Sequence, residues 1–397
     1  MKDPFFSIVI PTKDRVDLVE DLLISILDQD FDSYEIILSD NSDENFTQAM
    51  LLKYSDPRIR NIRRHGLTMA DNWDKAIELC QGKFMLLFSD KMLLKKGSLK
   101  YLYRKIEDTQ SDCITWTIDV CCDNEKAFFP QNTNQDLILP THDLLRDMSL
   151  ANSSSYIRSA FHCSSCVSVS VLEKIRASHG RVSFQLNPDY TFSFHVSLST
   201  KSIFRLSQSL TILRQKDFHT GYGNGHSFFR KTQSAKNFIN NNAEWFKKTN
   251  EVKGVPIHGN YFSIDTMLKD FYMVLQMYKI NPDQFATFED RIAGYYFRTF
   301  NEITHRQSMH VDMNDELVLW KNSLNEENKN IKCMAYKAIA KISLWRIKIK
   351  IISLLKKVSV LFKVFVFIRN FIHIKKAYIY QTHSDLLDQT EIKCTIE

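Results

Sequence analysis

Three clusters of polar residues follow runs of apolar residues within the first hundred positions of this chain. The clusters are Thr12–Arg15, Asp40–Asp43 and Ser89–Lys91. Asp40 could accept hydrogen bonds from the N–H edge of uracil or a similar base, and Lys91 could neutralise the charge of a phosphate. Because each cluster ends an apolar run of strand length, these polar residues are the first candidates for a ligand site.

The apolar runs predict the elements that carry the clusters. Strands are predicted at Ser7–Pro11, Tyr34–Leu38, Ile59–Arg63 and Lys83–Phe88, and helices at Arg15–Gln29 and Met69–Cys80. This alternation predicts a parallel sheet wrapped by helices, in which ligands bind beyond the carboxyl ends of the strands. Further strands, with helices at Leu144–Met148 and Val171–Ser178, are predicted up to Leu213, and the pattern from Thr232 to Leu324 is helical.

Basic residues are concentrated near the C-terminus of the chain. The 397 residues carry a formal net charge of +6, yet Asn328–His383 alone holds 13 Lys or Arg and no Asp or Glu, so the remainder is net negative. Charges interrupt every apolar run of this segment, and no stretch reaches the roughly 20 apolar residues of a spanning helix. The apolar run near Met1 is too short for a secretory signal. We therefore expect a protein that stays in the cytoplasm.

The eight cysteines show no regular spacing. One Cys-x-x-Cys pair, Cys163 and Cys166, lacks a second pair spaced to complete a zinc site. Buried, reduced thiols are therefore expected.

Three segments resemble family 2 glycosyltransferases. SIVIPTKDR, together with ILDQDFDSYEIILSDNSDE, resembles the opening of that family, and MADNWDKAIELCQGKFMLLFSDKMLL resembles the segment that leads into its D-x-D motif. NPDYTFSFHV resembles the acidic motif that carries the catalytic base in one bacterial branch. The resemblance covers about residues 5–230. It implies an α/β fold, a GT-A-like mixed sheet flanked by helices, followed by a helical C-terminal region.

The resemblance also implies an activity. It implies inverting transfer of a sugar from a nucleotide-diphosphate donor to a glycan or lipid-linked acceptor, in the synthesis of bacterial surface polysaccharide. The family's base-recognising aspartate falls on Asp40, for which an Asx turn or a helix cap is the alternative. The predicted donor-binding residues are Pro11, Thr12, Lys13, Arg15, Asp40, Asn72, Ser89, Asp90 and Lys91.

Asp189 falls at the position of the family's catalytic base. An inverting transfer needs one carboxylate to take the proton from the acceptor hydroxyl, whereas the alternative role for Asp189 is to cap a helix opened by Pro188. Asn72 either caps a helix or offers its amide to the donor, and Trp73 is expected in the core. The loop Gly221–Ser227 either closes over the diphosphate, with His219 and His226 available as donors, or is an ordinary loop.

The sequence Ser89-Asp90-Lys91-Met92 departs from the family's D-x-D motif. Two acids would hold Mg²⁺ or Mn²⁺ against the leaving diphosphate, but methionine is a poor ligand for a hard cation. Asp90 is the predicted metal ligand, with water, the diphosphate and a distant side chain completing the shell. Alternatively, Lys91 neutralises the phosphates without metal, or catalysis is lost.

Four regions are predicted along the chain. Residues 1–110 form the nucleotide-sugar-binding half, 111–230 the acceptor-binding half, 231–327 a helical region and 328–397 a basic apolar segment. The last segment is expected to bind the anionic inner face of the cell membrane, which would make the protein peripheral there; a partner helix or an oligomer interface is the alternative. Its apolar content favours a membrane over nucleic acid, so no nucleic-acid partner is expected.

Two rival functions remain open at this point. One is a catalytically inactive glycosyltransferase-like scaffold that binds nucleotide or a partner enzyme, because the acidic motif is incomplete. The other is a nucleotidyltransferase-like enzyme, but that class needs a glycine-rich loop after the first strand, and PTKDR contains no glycine.

Overall fold

The computed structural model describes seven stretches of the chain. They are residues 3–122, 127–152, 155, 158–184, 187–215, 263–308 and 312–340, and isolated positions 244, 247, 252, 255–256, 378–379, 387 and 392 are described as well. The predicted loop Gly221–Ser227 and most of the basic C-terminal segment lie outside these residues.

The first four strands form a parallel sheet. They are β1 (Phe6–Thr12), β2 (Tyr34–Asp40), β3 (Ile59–Arg63) and β4 (Phe84–Leu87), and they pair in the order β3-β2-β1-β4. Helices α1 (Val16–Leu27), α2 (Phe46–Leu51) and α3 (Met69–Ile77) connect them. Helix α1 buries Val19, Leu22, Leu23 and Ile26, the apolar spacing that predicted it. The predicted alternation of strand and helix is confirmed here.

The second half of the main sheet is not all parallel. Strand β10 (Ser165–Ser168) lies antiparallel between β4 and β6 (Cys113–Thr115), and β11 (Ser202–Arg205) pairs with β6 in parallel and with β9 (Leu137–Pro140) in antiparallel. The parallel sheet predicted from the strand–helix alternation of the first hundred residues is therefore confirmed for β1 to β4, and strands of both directions follow beyond β4. The mixed sheet that the family resemblance implied is confirmed.

A second, five-stranded sheet lies beside the first. It contains β5 (Met92–Leu94), β7 (Ile118–Cys122), β8 (Ala127–Phe129), β12 (Thr211–Gln215) and β13 (Tyr378–Ile379), in the order β13-β8-β7-β12-β5. Helices α4 (Ser98–Thr109), α5 (Thr141–Ser149), α6 (Val169–His179) and α7 (Pro188–Ser199) complete this part. The sequence pattern did not predict α4.

The helical region shares a core with helices α5 and α7. Helices α8 (Ser263–Met277), α9 (Phe288–Ser308) and α10 (Asn314–Glu326) are followed by helical residues 329–340. Their core joins Met148 of α5 and Phe194 of α7 to Phe271, Tyr295 and Trp320. Among the helices that the model describes, none is long and apolar enough to cross a membrane.

Short pieces near the C-terminus return to the second sheet. Strand β13 pairs with β8, Leu387 is buried against Leu93 and Ile212, and the Ile392 N–H donates to the Lys96 carbonyl oxygen at 2.8 Å. These described positions thus pack on the two sheets.

Candidate functional site

The polar clusters meet where the order of the main sheet reverses. From β1 the chain adds β2 and then β3 on one side, and it returns to add β4 on the other side of β1. At this reversal the Thr12 hydroxyl, at the end of β1, donates to Asp90 Oδ2 just after β4, at 3.0 Å. In open α/β sheets, ligands bind beyond the carboxyl ends of the strands at such a point.

Asp40 ends β2 with one carboxylate oxygen unpaired. Its side chain is fully buried, and Oδ1 accepts the backbone N–H of Ser42 at 3.0 Å and the Ser42 hydroxyl. Asp40 Oδ2 accepts no hydrogen bond from any residue that the structure describes. A buried carboxylate oxygen without a donor is unfavourable, so this atom is suited to an N–H group of a ligand. The Asx turn to Ser42 and a ligand role are thus compatible, because they use different oxygens.

Hydrogen bonds join the loops after β1 and β2. Asp14 has a positive φ of 55°, its backbone N–H donates to Ser42 Oγ at 2.8 Å, and its Oδ1 accepts the Asp43 N–H at 3.1 Å. Pro11 is buried within β1, whereas Lys13 makes an exposed ion pair with Asp43 at 3.9 Å. Such an exposed pair is worth little, so Lys13 remains available to a charged ligand.

Two cations flank Asp90. Arg15, the residue before α1, places Nη1 at 3.2 Å from Asp90 Oδ1, and Ser89 Oγ lies at 3.4 Å from the same oxygen. The pKa of Lys91 is lowered, chiefly by burial and then by the charge of Arg15, while Asp90 opposes the shift. The surroundings at the end of β4 therefore disfavour the charged form of Lys91, and a bound phosphate would stabilise that form.

These residues do not fit a metal held by protein ligands alone. Both oxygens of Asp90 already accept hydrogen bonds. Met92, at the third position of the motif, is the first residue of β5, and its side chain is fully buried in the core. No group of three His, Cys, Asp or Glu that could hold a metal occurs within the described stretches. Cys163 and Cys166 are free, buried thiols, as expected.

Asn72 is part of the scaffold beneath this edge. The Ser39 hydroxyl donates to Asn72 Oδ1 at 2.7 Å, and Asn72 Nδ2 donates to the Ser39 carbonyl oxygen at 3.2 Å. The cap of helix α3 is Thr68, whose side chain accepts the Asp71 N–H. The helix-cap alternative for Asn72 is therefore wrong, and Trp73 lies in the core as predicted.

Asp189 lies in the first turn of helix α7, directly after Pro188. Burial, the largest cause, acts together with the charges of Asp189 and Asp90 to raise the pKa of the Cys163 thiol to about 12, while Lys91 opposes the shift. Asp189 also opposes the lowering, by burial, of the pKa of His162. The fold thus brings Asp189, from helix α7, into the neighbourhood of Asp90 and Lys91.

His162 and Cys163 are neighbours of the site that the sequence interpretation missed. The His162 ring centroid lies 4.9 Å from that of Trp73, and Cys163 has a positive φ of 65°. The polar stretch His162-Cys163-Ser164 comes directly before β10, whereas the other three clusters follow strands. It lies at the same sheet edge because β10 is antiparallel to β4, a direction that the sequence pattern did not indicate. A separate cavity of about 520 Å³, lined by His179, Arg181 and Met273 among others, contains none of the predicted site residues.

Comparison with known proteins identifies the family. Residues 7–173 match the family model described as Glycosyl transferase family 2. The chain carries a family 2 glycosyltransferase domain. The clusters after β1, β2 and β4 fall inside this domain, whereas Asp189 lies beyond its end.

Two individual proteins extend the comparison. GalNAc(5)-diNAcBac-PP-undecaprenol beta-1,3-glucosyltransferase of Campylobacter jejuni is 29% identical over 109 residues, which are 26% of this chain and 35% of that protein. The match thus spans about a third of the relative's length. The crystal structure of S. aureus TarS 1-349 in complex with UDP-GlcNAc is similar with a TM-score of 0.52 at 15% identity, over 85% of this chain and 87% of that chain. The GT-A-like fold is confirmed by this likeness.

Proposed function

We propose that this protein transfers a sugar from a nucleotide-diphosphate donor to a glycan or lipid-linked acceptor, with inversion at the anomeric carbon. The observation that carries the proposal is the unpaired, buried Oδ2 of Asp40 at the same sheet edge as Asp90. A uracil-like base would supply the missing N–H donor to Asp40. The diphosphate would then extend toward Arg15 and Lys91, whose charges offset those of the phosphates.

The proposed chemistry uses Asp189 as general base. The acceptor oxygen forms a bond to the anomeric carbon while Asp189 takes its proton. The bond from that carbon to the diphosphate breaks, its electron pair goes to the phosphate oxygen, and the nucleoside diphosphate leaves. Arg15 and Lys91 stabilise the negative charge that develops on the leaving group.

We propose Mg²⁺ or Mn²⁺ as a cofactor that Asp90 would bind together with the diphosphate and water. Because the described residues offer one carboxylate that already has two donors, most oxygens around such an ion would have to come from the diphosphate and water. When bound, the ion would add positive charge beside the leaving group. The mechanism above needs no step through it.

The names of the similar proteins and the charge of the basic C-terminal segment support a proposal for the donor, the acceptor and the location of the enzyme. The name of the Campylobacter relative specifies a lipid-linked acceptor, and the TarS complex contains UDP-GlcNAc. We infer a UDP-sugar donor, an acceptor of this kind in surface polysaccharide synthesis, and peripheral attachment to the inner face of the membrane through the basic segment that begins near Asn328.

A catalytically inactive scaffold is the second candidate. Two observations favour it: Met92 takes the place of an acid in the core, and Asp90 is engaged by Thr12 and Arg15. Such a scaffold would bind nucleotide without turnover.

Binding and turnover together test these two functions. A panel of nucleoside diphosphates, each with and without Mn²⁺, should raise the melting temperature of the protein for one base, by mass action. Release of that nucleotide from its sugar donor, when it requires the addition of membrane lipid extract, would establish transfer and separate it from hydrolysis of the donor. Stabilisation without release under any acceptor condition would favour the scaffold, and stabilisation by none of the nucleotides would refute both.

A further inference from the structure

A buried carboxylate of the helical region contacts the segment that carries Asp189. Asp270, on helix α8, is fully buried, and its Oδ2 accepts a hydrogen bond from Asn187 Nδ2 at 2.8 Å. Asn187 is the residue before helix α7, two positions from Asp189. Asp270 lies far along the chain from the family 2 domain, so neither the motifs nor the family match points to it.

Asn187 is used in an unusual way for a residue at a helix start. An asparagine there ordinarily accepts a backbone N–H of the first turn with its side chain. Here its side chain makes no such bond, although its carbonyl oxygen accepts the N–H groups of Tyr190 and Thr191 at 3.1 and 3.2 Å. The side-chain amide instead donates to Asp270, so Asn187 links the start of α7 to α8.

The Asp270 carboxylate, which holds Asn187, is electrostatically costly at this buried position. The pKa of Asp270 is raised well above its ordinary range, first by burial and then by the charge of Asp189, while the bond from Asn187 and the charge of Lys269 oppose the shift. The other oxygen, Oδ1, has no hydrogen-bond partner among the described residues. An apolar residue would fill this space without those costs, so packing alone does not account for a carboxylate here.

We propose that Asp270 is a positioning residue for sugar transfer. By holding Asn187, it fixes the first turn of α7 and therefore the place from which Asp189 reaches the acceptor hydroxyl. The helical region, beyond the family 2 domain, thus contributes to the arrangement of the site. This inference rests on the proposed role of Asp189 as general base.

Two substitutions at Asp270 separate positioning from packing. Asp270→Leu removes the acceptor for Asn187, while Asp270→Asn keeps an oxygen that can accept the same bond. We expect Asp270→Leu to lower kcat by about 10²-fold, the cost of a small misplacement of a reacting group, with the KM for the donor and the Kd for UDP unchanged. Asp270→Asn should keep most of the activity. Asp265→Leu is the matched control, because Asp265 is equally buried on the same helix and makes no contact with Asn187 in the described hydrogen bonds.

Hydrogen exchange tests the anchor without depending on activity. The amides of Tyr190 and Thr191 should exchange faster in Asp270→Leu, but not in Asp265→Leu. Unchanged exchange at these amides, or equal losses of kcat in the two leucine variants, would overturn the inference. If the wild-type protein transfers no sugar from any donor, the proposed function fails, while the exchange measurement still decides whether Asp270 orders this turn.

Discussion

Replacing Asp40 by asparagine tests base recognition with almost no change in shape. In the wild-type protein, Oδ1 faces two donors, the N–H and the hydroxyl of Ser42, while Oδ2 is unpaired. The asparagine amide oxygen will therefore point at Ser42, and the NH₂ group will occupy the position of Oδ2. A ligand N–H would then meet a donor where it now meets an acceptor.

The magnitude follows from the hydrogen bond that is lost. A hydrogen bond to a charged group is worth about 1.5–3 kcal/mol, and an unmatched pair of donors adds a desolvation cost. Since about 1.4 kcal/mol is tenfold in affinity, the Kd for the nucleotide should rise roughly 10- to 150-fold. The melting temperature without ligand should change little, because the bonds to Ser42 are kept.

Isothermal titration of the full chain with UDP measures this Kd. Asp43→Asn is the control, because it makes the same chemical change in the same loop on a side chain that is 72% exposed. The reasoning is refuted if Asp40→Asn binds UDP within twofold of wild type while Asp43→Asn does the same. Asp40→Ala should also weaken binding, but it removes the bonds to Ser42 as well and should lower the melting temperature.

The remaining predictions concern the reaction, its electrostatics and the C-terminal segment. Asp189→Asn should leave UDP binding intact and lower the transfer rate by about 10²–10⁴-fold, the usual cost of losing a general base; persistent transfer would assign Asp189 a structural role. The lowered pKa of Lys91 means that this residue loses its charge at a lower pH than an ordinary lysine, so the transfer rate should fall on the alkaline side. Lys91→Arg should move that fall to higher pH, and Lys91→Asp should increase the dependence of the transfer rate on Mn²⁺. The metal would be excluded if wild-type activity were insensitive to chelators and activity were lost in Lys91→Ala. Truncation after Asn328 should abolish sedimentation with anionic vesicles. It should also lower the melting temperature more than truncation after residue 340 does, because Ile331 and Ala335 are fully buried in the core of the helical region. Vesicle binding retained by both truncations would contradict the membrane prediction.

The described part of the basic C-terminal segment makes contacts that its composition did not indicate. The segment from Asn328 was predicted as one basic, apolar unit, yet its first turns bury side chains in the helical core, and Ile392 near its end contacts Lys96. Charge and hydropathy describe a segment as a whole. They do not tell which of its apolar side chains find a partner within the same chain.

Local patterns in the sequence were sufficient for the first four strands and the polar residues at their ends. Strand period, helical spacing and the residues that interrupt them are local properties, so β1, β2, β3 and α1 could be predicted within a few residues. Asp40 and Asp90 were found by the same reasoning, since a polar residue directly after a buried strand lies at a sheet edge wherever the strand pairs.

Only the tertiary structure decided what those residues contact. That Asp90 is held by Thr12 and Arg15, and that Met92 faces the core, depends on strand order and on the turn into a second sheet, neither of which is encoded in local periodicity. The bond from Asn187 to Asp270 joins residues 83 positions apart. Long-range pairings arise from the packing of whole elements, and a single sequence contains no local signal for them.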